Sequence, residues 1–165
     1  MMRNKKQLDT FEDTKEKALR LLEFRNHSEK ELTDKLARLG ASSENIERTV
    51  EFLTGYKLIN DENYAEAFAR DLHHLKGYGK NRIRSELYAK GIDGAIIDTV
   101  LEELDDNDLD LLTEKIKKRL NGDFEKKSRD RVTRYFVNKG YSFDEIRSCI
   151  EKTVQSDENQ QTNDL

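Results

Sequence analysis

The chain has no proline, no tryptophan, one cysteine and three histidines in 165 residues. Without proline, no position has a locked φ or a missing amide donor, so every segment is free to be helical. The single cysteine, Cys149, cannot form an internal disulfide, which predicts a reducing compartment. No long apolar run is present either. Residues 1–14 are polar and resemble neither a signal peptide nor a membrane span, so the reading is a cytoplasmic protein with no membrane partner.

The scarcity of histidine and cysteine also narrows the chemistry. His73 and His74 are neighbours on a predicted helix, so their side chains diverge by about 100°, and zinc sites need three or four convergent ligands. Cys149 has no ordered histidine partner in the pattern and reads as a small residue on a helix flank. Gly77-Tyr78-Gly79-Lys80 lacks the hydroxyl residue, the upstream glycine and the preceding strand of a phosphate loop, and reads as a helix stop and restart. The carboxylates Glu102, Glu103, Asp105, Asp106, Asp108 and Asp110 do not match a calcium loop. The sequence therefore predicts no catalytic residue, no metal and no cofactor.

What is abundant is charge. Charged residues make up 39% of the chain and apolar residues 35%, with a net charge of −4. Residues 91–114 contain nine acids and no base, whereas residues 115–139 contain ten bases and three acids. Such segregation either solvates helix faces or orients a charged partner.

The apolar residues recur at helical spacing within an internal repeat. Lys30–Val50, Asn81–Leu101 and Asp130–Ile150 align without gaps, anchored on Gly40, Gly91 and Gly140, which are 51 and 49 residues apart. Leu32, Ile83 and Val132, with Leu36, Leu87 and Phe136 four residues later, define one buried helix face. The glycines end that helix in a left-handed conformation. Ser42, Asp93 and Ser142 then cap the next helix, which brings Ile46, Ile97 and Ile146 inward. Ser142 with Glu145, and Ser28 with Glu31, predict capping boxes. A further helix precedes each pair, near 14–25, 61–75 and 107–120. The predicted fold is all-α: three tandem three-helix repeats, helix-turn-helix-like, in an elongated, curved array. The expected organisation is a polar arm over 1–13, repeats over 14–58, 59–105 and 106–154, and a disordered polar tail over 155–165.

Two basic stripes flank the apolar faces. Lys80, Arg84 and Tyr88 follow one another at steps of four, with Arg82 on the other flank. Lys127, Arg131 and Arg134 form a comparable stripe in the third repeat. A guanidinium beside an aromatic ring suits contact with phosphate or carboxylate, while the same residues are also ordinary helix formers on a wet face.

The motifs carry a resemblance. Arg25-Asn26-His27-Ser28-Glu29-Lys30-Glu31-Leu32, followed by Lys35-Leu36, resembles the opening motif of the RecX regulators. Leu58-Ile59-Asn60-Asp61-Glu62-Asn63-Tyr64-Ala65 resembles their central signature. Gly79-Lys80-Asn81-Arg82-Ile83, through Glu86-Leu87 to Lys90-Gly91-Ile92, completes it. The likeness spans residues 15–154 and is looser in the third repeat, where only the helical pattern and Lys139-Gly140 persist. It implies a non-enzymatic, monomeric modulator of the bacterial recombinase RecA, active in recombination, DNA repair and the SOS response. Such a protein lies along the groove of the RecA–DNA filament and inhibits it, with at most weak direct contact to DNA. The residues expected to meet the filament or its phosphates are Lys80, Arg82, Arg84, Tyr88, Lys127, Arg131 and Arg134. The alternative is a direct DNA-binding protein using its helix-turn-helix-like units. Against it, residues 92–104 contain no base.

Overall fold

A computed structural model describes residues 8–104 and 108–163. The expected repeat boundary at 105–106, with Asp105 and Asp106, lies outside the described residues. Among those described, the chain forms nine α-helices and no strand. They are α1 Phe11–Phe24, α2 Glu29–Arg38, α3 Ser43–Gly55, α4 Asp61–Lys76, α5 Lys80–Ala89, α6 Gly94–Glu103, α7 Asp108–Leu120, α8 Lys126–Lys139 and α9 Phe143–Asn163. None is long and apolar enough to cross a membrane, among the described residues.

The helices gather into two compact units, Met1–Ala69 with Glu86–Val100, and Arg70–Ser85 with Leu101–Leu165. The division falls inside α4, α5 and α6 and so cuts across the fifty-residue period of the sequence.

In the first unit, α1, α2 and α3 pack around Leu8, Ala18, Leu32, Leu36, Ile46, Leu53 and Ile59. Thr14 and Thr49 are buried there, and their hydroxyls donate to the carbonyls of Thr10 at 2.9 Å and Asn45 at 2.7 Å, so neither leaves a polar orphan. Thr10 caps α1 by accepting from the Asp13 amide. The expected polar arm over 1–13 thus needs correction. Leu8 is a core residue, packed in the same cluster as Ala18, and α1 begins at Phe11 after its Thr10 cap.

In the second unit, α7, α8 and α9 enclose Leu112, Ile116, Leu120, Val132, Phe136, Tyr141, Ile146, Cys149 and Ile150. Cys149 is a core residue whose thiol donates to the carbonyl of Leu109 at 3.6 Å. The α8 helix ends at Gly140, in a left-handed conformation with φ 99°. Ser142 and Glu145 then form the full capping box, each side chain bonding the other's amide, at 3.2 and 2.7 Å. The tail over 155–165 also needs correction, because α9 continues to Asn163. No proline or glycine interrupts that stretch, and Gln155, Glu158, Gln160 and Gln161 are good helix formers.

The apolar columns of the sequence are buried: Leu36 and Leu87 are fully enclosed and Phe136 is 3% exposed.

Candidate binding surfaces

Residues of the three signature stretches meet in the first unit. Ser28, the N-cap of α2, accepts from the Glu31 amide and donates its own hydroxyl to the Lys90 carbonyl at 2.6 Å. Asp61 accepts from the Glu29 amide at 2.9 Å. The Glu31 carboxylate does not complete the capping box. It pairs with Lys90, with Arg25 at 3.2 Å, and with the Tyr64 hydroxyl, which donates at 3.2 Å. Burial alone would raise the Glu31 pKa, but hydrogen bonds from Lys90 and Arg25 and their charges bring it to about 2. Burial, then the Glu31 charge, pushes the Tyr64 phenol upward, so it stays a donor.

His27 is buried beside this network. Its Nδ1 donates to the Arg25 carbonyl at 2.9 Å, and Nε2 has no partner among the described residues. Burial lowers its pKa. His27, Asn26, Asn60, Asn63 and Tyr64 line a small cavity of about 140 Å³. These motif residues therefore hold the first unit together.

The predicted contact residues are distributed along α5 and α8. Lys80 is half-buried and Tyr88 is exposed, with Tyr88 belonging to the first unit and Lys80, Arg82 and Arg84 to the second. Arg82 is tied to its own unit: its guanidinium lies 4.6 Å from the Tyr78 ring centroid and donates to the Asn138 carbonyl at 3.2 Å. Removing Arg82 therefore costs internal contacts as well as charge. Lys127, Arg131 and Arg134 are exposed on α8.

The Gly77-Tyr78-Gly79-Lys80 stretch is a splice between segments. The Gly79 amide donates to the Lys139 carbonyl at 2.8 Å and the Asn81 amide to the Gly140 carbonyl at 3.1 Å. A Cβ on Gly79 would lie 2.6 Å from the Gly140 oxygen, so only glycine permits this approach. His73 is buried and its Nδ1 donates to the Tyr78 carbonyl at 3.0 Å, while its ring meets that of exposed His74 edge-on at 5.1 Å. No group of three potential metal ligands comes together among the described residues.

A larger feature escaped the sequence reading. An open cleft of about 600 Å³ in the second unit is lined by Lys76, Lys115, Lys118, Arg119 and Lys139, with Tyr135, His74 and Leu75. The Arg119 guanidinium lies 3.4 Å from the Tyr135 ring centroid. Lys139 reaches both the Tyr135 and Tyr78 rings, at 5.7 and 5.2 Å, and donates to the Lys76 carbonyl at 3.1 Å. The basic excess of residues 115–139 was visible in the sequence. That the end of α4 joins it was not, because residue 76 is remote along the chain.

Comparison with known proteins agrees with the motifs. The first three-helix domain of RecX matches residues 15–53, and the second matches residues 60–101. The regulatory protein RecX of Clostridium perfringens strain 13 is 33% identical over 155 residues, covering 90% of this chain and 72% of that protein. That of Chlorobium phaeobacteroides strain BS1 is 36% identical over 141 residues, covering 84% and 92%. The crystal structure of RecX from Lactobacillus salivarius superposes with a TM-score of 0.77 at 28% identity, over 88% of this chain and 97% of that one. Sequence motifs, helical architecture and similarity over most of the length thus converge, and the chain belongs to the RecX family of regulatory proteins.

Proposed function

We propose that this protein regulates the RecA recombinase in the cytoplasm by binding the RecA–DNA filament as a monomer, and that it restrains filament extension, ATP turnover and strand exchange. Membership of the RecX family, carried by the two matching three-helix domains, is the observation on which this rests. The protein acts by contact: its signature residues are engaged in holding helices together, and the cations of α8 named below lie at the surface. The exposed cations Lys127, Arg131 and Arg134 of α8, with the half-buried Lys80 and Arg84 of α5, offer charge-assisted contacts to acidic groups of the filament. A direct reader of duplex DNA would need bases on the third helix of each unit, and α6 has none.

Co-sedimentation with RecA filaments, run beside bare duplex DNA at physiological salt, tests the proposal. Recovery with the filament but not with the duplex is expected. Equal recovery with both, or with neither, refutes it. A companion assay follows DNA-dependent ATP hydrolysis by RecA. Replacing Lys127, Arg131 and Arg134 with alanine should relieve inhibition, and the difference from the parent should shrink as salt rises.

A further inference from the structure

The cleft of the second unit gathers cations from three helices. Lys76 stands at the end of α4, Lys115, Lys118 and Arg119 share one face of α7, and Lys139 projects from α8. No aspartate or glutamate lines it among the described residues. Nor does any described carboxylate pair with Lys115, Lys118 or Arg119. Like charges around one open space repel each other, and that cost is relieved when a polyanion enters. Lys115, Lys118 and Arg119 are exposed, so they reach a ligand without opening the core.

The aromatic partner narrows the class of anion. Arg119 is stacked on Tyr135, and a guanidinium lying on a ring forms a flat cationic platform of the kind on which nucleobases stack. Leu75, 80% exposed on the cleft wall, adds an apolar edge. An acidic peptide would satisfy the ammonium groups but has no use for a planar platform. The openness of the cleft suits a strand passing through better than an enclosed mononucleotide.

We infer that this cleft holds a short stretch of single-stranded nucleic acid, with phosphates against Lys76, Lys115, Lys118 and Lys139 and one base on the Arg119–Tyr135 pair. Recognition is through backbone charge and stacking and so tolerates any sequence. This binding stands apart from the filament reading, since it needs no recombinase.

The test is fluorescence anisotropy of the full-length protein with labelled oligothymidylate of about fifteen nucleotides, at salt between ~50 and ~200 mM. The parent should bind with an affinity that falls as salt rises. Lys115→Glu with Lys118→Glu should weaken binding by roughly tenfold or more and flatten the logarithmic salt slope by about 1.4, that is about 0.7 for each phosphate left without its cation. Arg38→Glu with Lys152→Glu makes the same change in net charge at exposed positions outside the cleft and should weaken binding by less than about threefold. Arg119→Lys keeps the charge but loses the plane, so it should weaken binding while leaving the slope unchanged. The inference is overturned if the parent does not bind, if the two double variants lose affinity equally, or if polyglutamate of matched charge competes as well as the oligonucleotide. Unaltered binding by Arg119→Lys overturns the placement of the base. Far-UV circular dichroism confirms that each variant is folded.

Discussion

Three donors converge on the Glu31 carboxylate, from Arg25, Lys90 and Tyr64. In the unfolded chain this acid has its ordinary pKa of 4.5, and in the folded unit it is held at about 2. A depressed folded pKa means that the stabilisation is complete above pH ~4.5 and fades as pH falls towards ~2, each tenfold difference in proton affinity being worth roughly 1.4 kcal/mol. Glu31→Gln should therefore lower stability by about 3 kcal/mol near neutral pH, and the gap between parent and variant should close under acid. Urea denaturation at pH 7 and pH 3 measures both values. His27 acts in the same direction in a higher window. Its folded pKa is lowered, so its contribution is present above about 6.5 and declines as pH drops below that value. His27→Gln should flatten the stability profile between pH 7 and pH 5 and leave the Glu31 window in place. The spacing of Ser28 and Glu31 promised a reciprocal cap and delivered half of one. Nothing within that motif discloses that Lys90 draws the carboxylate away, whereas Glu145 has no such competitor in its described contacts and closes its box.

Among the elements, two backbones come close where the start of α5 meets the end of α8. Gly79→Ala places a methyl group 2.6 Å from the Gly140 carbonyl oxygen, and Gly140→Ala places one 2.4 Å from the Arg82 Cβ at a φ that already disfavours side chains. Each should destabilise the second unit by more than ~2 kcal/mol, read as a shift in the urea midpoint. A loss below ~0.5 kcal/mol for Gly79→Ala would show that the splice relaxes freely. The sequence announces Gly140 through its register with Gly40 and Gly91, since a helix stop is a local event. Gly79 is harder to read, because its constraint comes from backbone sixty residues away, and a pattern of glycines and lysine invites thoughts of phosphate loops. At the other end of the unit, Thr153 is buried and Val154 packs on the core, and between Gln155 and Gln160 only Asp157 is half-buried. Ending the chain after Val154 should reduce the helical signal in proportion to the residues removed and change the melting midpoint by only a few degrees.

Across the molecule, the repeating apolar columns specify most of the helical architecture, because burial of one face every fifty residues is written in periodicity alone. Leu36→Ala, Leu87→Ala and Phe136→Ala should each cost ~2–5 kcal/mol by chemical denaturation, as expected for enclosed side chains. The candidate surface was only half legible. The basic stripes of α5 and α8 follow from helical spacing, but the cleft needs the end of α4 beside α7 and α8, a juxtaposition that no local pattern encodes. Conversely, Arg82 is exposed as its spacing suggests but also has internal partners, the Tyr78 ring and the Asn138 carbonyl, and the second is too remote along the chain for any local pattern to show it. The burial of Cys149 has a practical corollary. It is the chain's single thiol and is 1% exposed, so an alkylating reagent must wait for the second unit to open. The unaltered protein thus carries its own clock: the rate of thiol modification, compared with that of the unfolded chain, times the opening of the unit that houses the cationic cleft, and a tight-binding oligonucleotide should make that clock run slower.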